Sequence, residues 1–469
     1  MNKSLITAAV AALLAGCSLA PVYERPQLAV TPAWPQGDAY QPAARPGETR
    51  AAPDIGWREF ISDDKLRQLV QLALDNNRDL RVSVLNIERA RAQYGVTSAA
   101  RLPQVSAAVG QTAQRVPDNL SPNGDGYITR QYSANLGISA FELDLFGRVK
   151  NLSEAGLQQY LGTQEARRAQ QISLVAEVAN AWLTLAADQE RLRLAQDTLK
   201  NQQISHELSR RRFAAGATSG LDMYEAQQSV ESARNDMAIY TAQVAADRNA
   251  LALLAGAPVP PELLPQGALT AATQLADLPA GVPSDVLQRR PDVLSAERTL
   301  QAANANIGAA RAAFFPRISL TATAGSASTA LSGLFKAGSG AWSFVPQVTL
   351  PIFTAGANQA NLDIAKAERD IALAQYDKAI QSAFREVADA LAQRGTLDER
   401  VASQAALAEA SAKSYRIYEA RYQKGADSYQ TSLTSQRNLY AAQQGLITAR
   451  LAKATNQVTL YKVLGGGWQ

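Results

Sequence analysis

The chain carries one cysteine and one histidine, so the side chains that most often do chemistry are almost missing. A metal site needs several converging ligands and a disulfide needs two thiols, and neither can be assembled from this set. His206 sits in the polar stretch Gln202-Gln203-Ile204-Ser205-His206-Glu207 and reads as a solvated histidine on a helix surface. No nucleophile–base set or phosphate-cradling loop is written in the chain, and its carboxylates are scattered at helix-surface spacing. Neither an enzyme nor a cofactor is expected. The net charge of +4 is too mild and too evenly spread for nucleic-acid binding. One residue remains whose position implies a reaction, Cys17.

Cys17 closes a leader. Lys3 supplies a positive start, and residues 5–14 form an apolar run too short to cross a bilayer as a helix. The run ends in Leu14-Ala15-Gly16-Cys17, small residues set directly before the only cysteine. This pattern resembles the lipobox of bacterial lipoproteins; the alternative is an ordinary signal peptide over 1–16 followed by a chance cysteine. By the resemblance, Cys17 becomes the first mature residue and carries S-diacylglycerol and N-palmitoyl groups. Ser18 follows in place of an aspartate, which suits outer-membrane sorting. Buried acyl chains would tether the chain to lipid. Residues 17–62 then hold seven prolines from Pro21 to Pro53 and read as an extended segment.

The elements behind this anchor are written twice. An offset of 209 places Gly147 on Gly356, Glu177-Val178-Ala179 on Glu386-Val387-Ala388, Gly216-Ala217 on Gly425-Ala426 and Gly256 on Gly465. Upstream, an offset of 213 places Asp79 on Asp292, Gly95 on Gly308 and Pro103 on Pro316. Internal repetition decides architecture before any local signal does. The expected organisation is a first repeat over 63–256, a connector over 257–283 and a second repeat over 284–469. Each repeat opens with a helix; in the first, Asp63-Asp64 and the stripe Leu66, Leu69, Leu72 start a helix expected to run to about Ala100.

After Pro103 the hydrophobic period changes from about 3.6 to 2. Strands are expected at about 104–115 and 128–145, and again at about 317–328 and 341–353. The alternation flips phase at Phe141, the mark of a bulge or a sheet exit, and Pro346 argues for an edge or bulged position. The lengths match tilted membrane strands, although a soluble sheet with one wet face has the same signature. Four strands cannot close, and an open edge cannot sit in lipid. If these strands cross a membrane, several chains pool them, and three chains would give a barrel of twelve.

Helical hairpins follow each strand pair, at about 157–256 and 366–465. Helices from 157 to 213 and from 366 to 422 would each reach roughly 80 Å, a length seen in coiled coils and tube walls rather than in globular cores. The turns around Gly216 and Gly425 end one helix with glycine and start the next with Ser219 or Ser428.

Taken together, several motifs make the chain resemble the outer membrane factor family, the TolC/OprM-type exit ducts, in its lipoprotein multidrug-efflux branch. They are Leu14-Ala15-Gly16-Cys17, Asn77-Arg78-Asp79-Leu80-Arg81, Glu142-Leu143-Asp144-Leu145-Phe146-Gly147-Arg148, Leu287-Gln288-Arg289-Arg290-Pro291-Asp292, Ile307-Gly308 through Phe315-Pro316, Leu350-Pro351-Ile352-Phe353-Thr354-Ala355-Gly356, Glu386-Val387-Ala388-Asp389 and Leu464-Gly465-Gly466-Gly467-Trp468. They span the whole chain.

The resemblance implies a mainly α fold with membrane β. Long antiparallel helices would form a periplasmic α-barrel, and four strands per chain would contribute to a trimeric twelve-stranded outer-membrane β-barrel. It implies a homotrimer that meets a periplasmic membrane-fusion adaptor and, through it, an inner-membrane RND transporter. The adaptor would meet the tips at Arg212, Gly216, Ala217, Ser219, Arg421, Gly425, Ala426 and Ser428. The family commonly places an acid after the second tip, in a pattern like Leu-Leu-Asp-Ala-Gln-Arg. Here Ser432-Leu433-Thr434-Ser435-Gln436-Arg437 stands instead, so neither Thr431 nor Thr434 supplies charge. Asp222, Glu225 and Asp427 are the remaining candidates for a gate, or are plain exposed helix-start residues. Two other functions stay open: the channel of a protein-secretion system and a structural coiled-coil surface protein.

Overall fold

The computed structural model describes residues 18–27, 30–40, 52–122, 124–267, 269, 275 and 284–467, with Ser284 and Asp285 as backbone only. The leader, Cys17, parts of the 17–62 segment, most of the connector beyond Gly267, and Trp468 lie outside the described residues. The helices are α1 (Trp57–Phe60), α2 (Asp64–Asn76), α3 (Arg78–Ala99), α4 (Arg148–Ala214), α5 (Gly220–Ala255), α6 (Pro291–Ala312), α7 (Ala357–Gln423) and α8 (Tyr429–Val463), and the strands are β1 (Val105–Val116), β2 (Tyr127–Leu143), β3 (Arg317–Ser328) and β4 (Gly340–Thr349). The repeat is visible in the bounds. α3 and α6 have 22 residues each, and α4 and α7 have 67 each.

Contacts divide the chain into two compact units, residues 1–27, 86–164 and 295–376 in the first and residues 28–85, 165–294 and 377–469 in the second. The first holds one antiparallel sheet in the order β1-β2-β3-β4. Its register aligns the apolar positions across all four strands. Ala107 pairs with Leu136, Leu136 with Ala324 and Ala324 with Trp342, while Ser106, Gly137 and Thr323 line the other face. The expected phase flip is a bulge between Ile138 and Phe141. Ala140 takes φ 51° there, and its N–H donates to Thr321 Oγ1 at 3.1 Å. Pro346 falls on β4, an edge strand whose outer side has no ladder to serve. At the sheet's base the Glu142 carboxylate accepts from Arg148 at 2.7 and 2.8 Å and from Arg317 at 2.7 Å.

Two helix boundaries differ from the sequence expectation. α4 begins at Arg148, nine residues before the expected Leu157, because Gly147 turns the chain at φ 74° and Asp144 Oδ2 caps the Lys150 N–H at 2.6 Å. Gly156 and Gly162, which weaken the helical signal, are close-approach positions: a Cβ at Gly156 would come within 2.8 Å of Thr97 Oγ1. The single helix expected over 63–100 is broken at Asn77. Its N–H donates to Ala73 O while its Oδ1 accepts from Leu80 N at 2.9 Å, so one residue closes α2 and opens α3.

The second unit is closed by its carboxyl end. The Phe60 and Tyr461 rings stack at 4.1 Å, and the Tyr461 hydroxyl lies 2.9 Å from Ile55 O and 3.0 Å from Gly467 O. Arg290 donates to Val463 O at 2.7 Å, satisfying an orphan carbonyl at the end of α8, and also to Asp292 and Glu386.

Buried deeper in this unit are two acids, Asp188 on α4 and Asp247 on α5. Arg191 donates to Asp188 at 2.5 Å and to Thr448 on α8 at 3.0 Å. Gln243 donates to Asp247 Oδ1 at 3.1 Å, while Asp247 Oδ2 is buried without a partner. Burial first, and then the negative charge of Asp188, push the Asp247 carboxyl up to about 6 from 3.8. The native state therefore holds this proton more tightly than the open chain does. The stability it contributes is complete below about pH 4 and is lost as pH rises through about 6. Asp247→Asn should raise the thermal midpoint more at pH 8 than at pH 4 and flatten its change between those values. An unchanged pH profile in detergent-solubilised protein would exclude the raised Asp247 carboxyl.

Candidate functional site: the hairpin turns and the amino-terminal strap

The turns joining α4 to α5 and α7 to α8 are built alike. Gly216 and Gly425 adopt φ 71° and 74°, with open space where a Cβ would stand, so backbone conformation alone requires glycine. Ala217 N–H donates to Arg212 O at 2.8 Å and Ala426 N–H to Arg421 O at 2.9 Å. Ser219 Oγ then caps the Asp222 N–H at 3.4 Å, and Ser428 Oγ caps the Thr431 N–H at 3.3 Å.

The acids do not behave alike. Asp222 accepts a hydrogen bond from Thr218, inside its own turn. Asp427 is gripped by Arg421 through Nε at 2.5 Å and Nη2 at 3.0 Å, and these guanidinium hydrogen bonds hold its carboxyl below the usual range. Thr431 pairs with Ser428 at 2.9 Å, and Thr434 is exposed. Of the candidate acids only Glu225 reaches the other hairpin, where Gln430 turns its amide nitrogen to the carboxylate at 2.7 and 2.9 Å. Arg212 also crosses, placing its guanidinium 5.1 Å from the centre of the Tyr422 ring. Tyr422 packs on Tyr429 at 5.4 Å, and Tyr429 and Leu433 bury Ala226. Farther from the turn, Gln202 donates to Gln436 at 2.9 Å. The tyrosines and glutamines were not legible as site residues. Their only sequence signal was the repeat, which sets Tyr422 against Phe213 and Gln436 against Gln227.

In the first unit, residues 18–25 lie along α6. Arg311 donates to Leu19 O at 3.1 Å, Asn304 to Pro21 O at 2.8 Å, and Tyr23 and Arg25 both bond Glu297, at 3.1 and 2.8 Å. The three α6 positions are seven apart, so they share one helix face. Fourteen helix residues rise about 21 Å, and six extended residues reach about 20 Å, so strap and helix stay in step. Gly308 sits midway, where a Cβ would come 2.7 Å from the Ala20 nitrogen. Ser18 ends the strap by donating to Asn151 Oδ1 at 2.8 Å, on the first turn of α4.

A profile of the outer membrane efflux protein family matches residues 69–257 and 282–466. The chain belongs to the outer membrane efflux protein family. It is 51% identical over 469 residues to the antibiotic efflux pump outer membrane protein ArpC of Pseudomonas putida, covering 100% of this chain and 96% of that one. The toluene efflux pump outer membrane protein TtgC, also of Pseudomonas putida, gives the same figures, 51% over 469 residues with 100% and 96% coverage. The open state of the MtrE outer membrane channel of Neisseria gonorrhoeae aligns with a TM-score of 0.86 at 38% identity, over 97% of this chain and 99% of that one. An efflux family member with this architecture works at the outer membrane.

If the hairpins hold a channel closed, the ties that cross between them carry the closure. Losing a cation–π contact of about 0.5–1 kcal/mol changes a closed-to-open ratio by roughly two- to fivefold. Arg212→Ala and Glu225→Ala should therefore raise single-channel open probability in planar bilayers. Asp222→Ala and Asp427→Ala, tied within their own turns, should stay near wild type; a rise in either would return that acid to the gate.

Proposed function

We propose that this chain is one subunit of a trimeric outer-membrane exit duct that passes drugs and other small toxic molecules out of an RND-type tripartite efflux pump. The sheet carries this reading. One face is apolar where Val105, Ala107 and Val109 meet Ala134, Leu136 and Ile138 and continues across Ala322, Ala324, Trp342 and Phe344, and β1 and β4 leave their outer edges unpaired. Such a sheet crosses lipid only when neighbouring copies complete it, and three copies give a barrel of twelve strands. Names of the relatives, antibiotic and toluene efflux proteins, point to small apolar cargo. The duct itself is passive, and energy comes from an inner-membrane transporter reached through a periplasmic adaptor. The hairpin turns are the adaptor's contact, with Arg212, Gly216, Ala217 and Ser219 on one and Arg421, Gly425, Ala426 and Ser428 on the other.

Lipidation at Cys17 fits the strap. Ser18, the residue after it, is fixed to the first turn of α4, a few residues after β2 ends, and acyl chains on the mature terminus would tether the chain to lipid. Cys17→Ala should abolish incorporation of radiolabelled palmitate, and retained label would refute the anchor.

A deletion strain tests the function. Retention of fluorescent dyes and antibiotics should rise and be restored by the gene on a plasmid. Unchanged retention together with a missing secreted protein would assign the channel to protein secretion instead.

A further inference from the structure

Where the sheet meets the start of α4, the first unit is hollow. A recess of about 510 Å³ opens there between the end of β2, the start of β3 and the end of α6. Small-molecule sites commonly fall between about 300 and 1,000 Å³. The back wall is one row of the ladder. Glu142 pairs with Ser319 and Ser319 with Gln347, on the sheet face opposite to Leu136 and Trp342. The floor is aromatic: Phe146 and Phe315 stack at 4.8 Å, and Phe315 remains 41% exposed.

Burial sorts the charges of this recess. The Glu142 side chain is 9% exposed and sits behind Arg148 at 34% and Arg317 at 58%. One carboxylate therefore serves two guanidiniums. The tie to Arg317 runs through Nε at 2.7 Å, so the two Nη groups stand at the outer end of its side chain. The other acid of the lining, Asp144, turns Oδ2 to the Lys150 N–H at 2.6 Å. A molecule entering from the open side meets a cationic fork above an aromatic floor, and meets the Glu142 carboxylate last.

We infer that this recess holds aromatic carboxylates, with the carboxylate on the Arg317 fork and the ring against Phe315. A guanidinium matches a carboxylate with two parallel bonds, and aromatic rings attract one another in offset or edge-on contact. The inference rests on the exit-duct reading above, in which the apolar face meets lipid and the polar face, with the recess, meets the lumen. It adds a class of cargo that pauses on the way out. Binding at so open a site is weak, which suits a duct, because a conducted molecule must be able to leave.

The probe is 2-naphthoate, and 2-naphthylmethylammonium is its cationic counterpart of similar shape. In equilibrium dialysis against the full-length protein in neutral detergent, corrected for uptake by protein-free micelles, naphthoate should bind about tenfold more tightly than the ammonium. Arg317→Gln should weaken naphthoate about tenfold. Arg317→Lys keeps the charge but loses the fork, and should fall between. Arg148 still holds Glu142 by two bonds in these variants, so the base of the sheet keeps its pair. Ser319→Phe fills the recess without changing charge and should abolish naphthoate binding, which separates the recess from a general attraction to positive surface. Equal binding of the two probes, or naphthoate binding that ignores Arg317→Gln or Ser319→Phe, overturns the site; the duct stands if the deletion strain still retains more dye. Naphthoate binding that follows Arg317, in a protein whose deletion changes neither dye nor drug retention, would overturn the cargo role together with the duct.

Discussion

An unpaired strand edge in hydrocarbon leaves a row of N–H and C=O groups with no partner, at a cost of several kcal/mol for each group. That constraint governs the rest of the molecule. The sheet has two such edges, on β1 and β4, and nothing else among the described residues pairs with them. A unit of four strands is therefore only a fraction of a membrane structure. α3, before the first strand pair, and α7, after the second, also expose apolar side chains, Val82 and Leu85 on one and Ile364 and Ile371 on the other.

Where the chain does complete itself, it does so with polar specificity. Arg290 joins the start of α6 to Glu386 on α7 and to the last carbonyl of α8, that of Val463. Tyr461 draws Ile55 and Gly467 onto one hydroxyl. Asn77 serves two helices at once. Each of these residues satisfies backbone groups that regular structure leaves orphaned. The long helices need few such devices internally, because their backbone bonds are all local.

Much of this was legible in the sequence because duplication repeats every signal. The period-2 stretches gave the strands, and the phase flip at Phe141 became the bulge at Ala140. Glycine and serine at the turns gave both caps. What stayed hidden was hidden for physical reasons. Asn77 breaks a helix without proline or glycine, through a side chain that mimics a turn. Gly156 and Gly162 look like weak points in a helix until a neighbouring helix is placed against them. The Asp188–Asp247 contact joins residues far apart in the chain, and no local pattern marks a carboxyl that will lack a partner. At the tips, residue type alone could not separate Glu225, which crosses between hairpins, from Asp222 and Asp427, which do not.

The offset between the repeats also falls from 213 to 209 between Ser106 and Gly147. The first copy thus spends four more residues on its strand hairpin, while α4 and α7 keep the same length of 67 residues. One residue added to an α-helix turns everything beyond it by about 100°, which would swing a hairpin tip off its neighbour. A loop between strands has no such lever. Length variation is thereby filtered by position: the outward loops can absorb insertions and deletions, and serve as places to graft foreign peptide, while the long helices accept substitution but not a change of count.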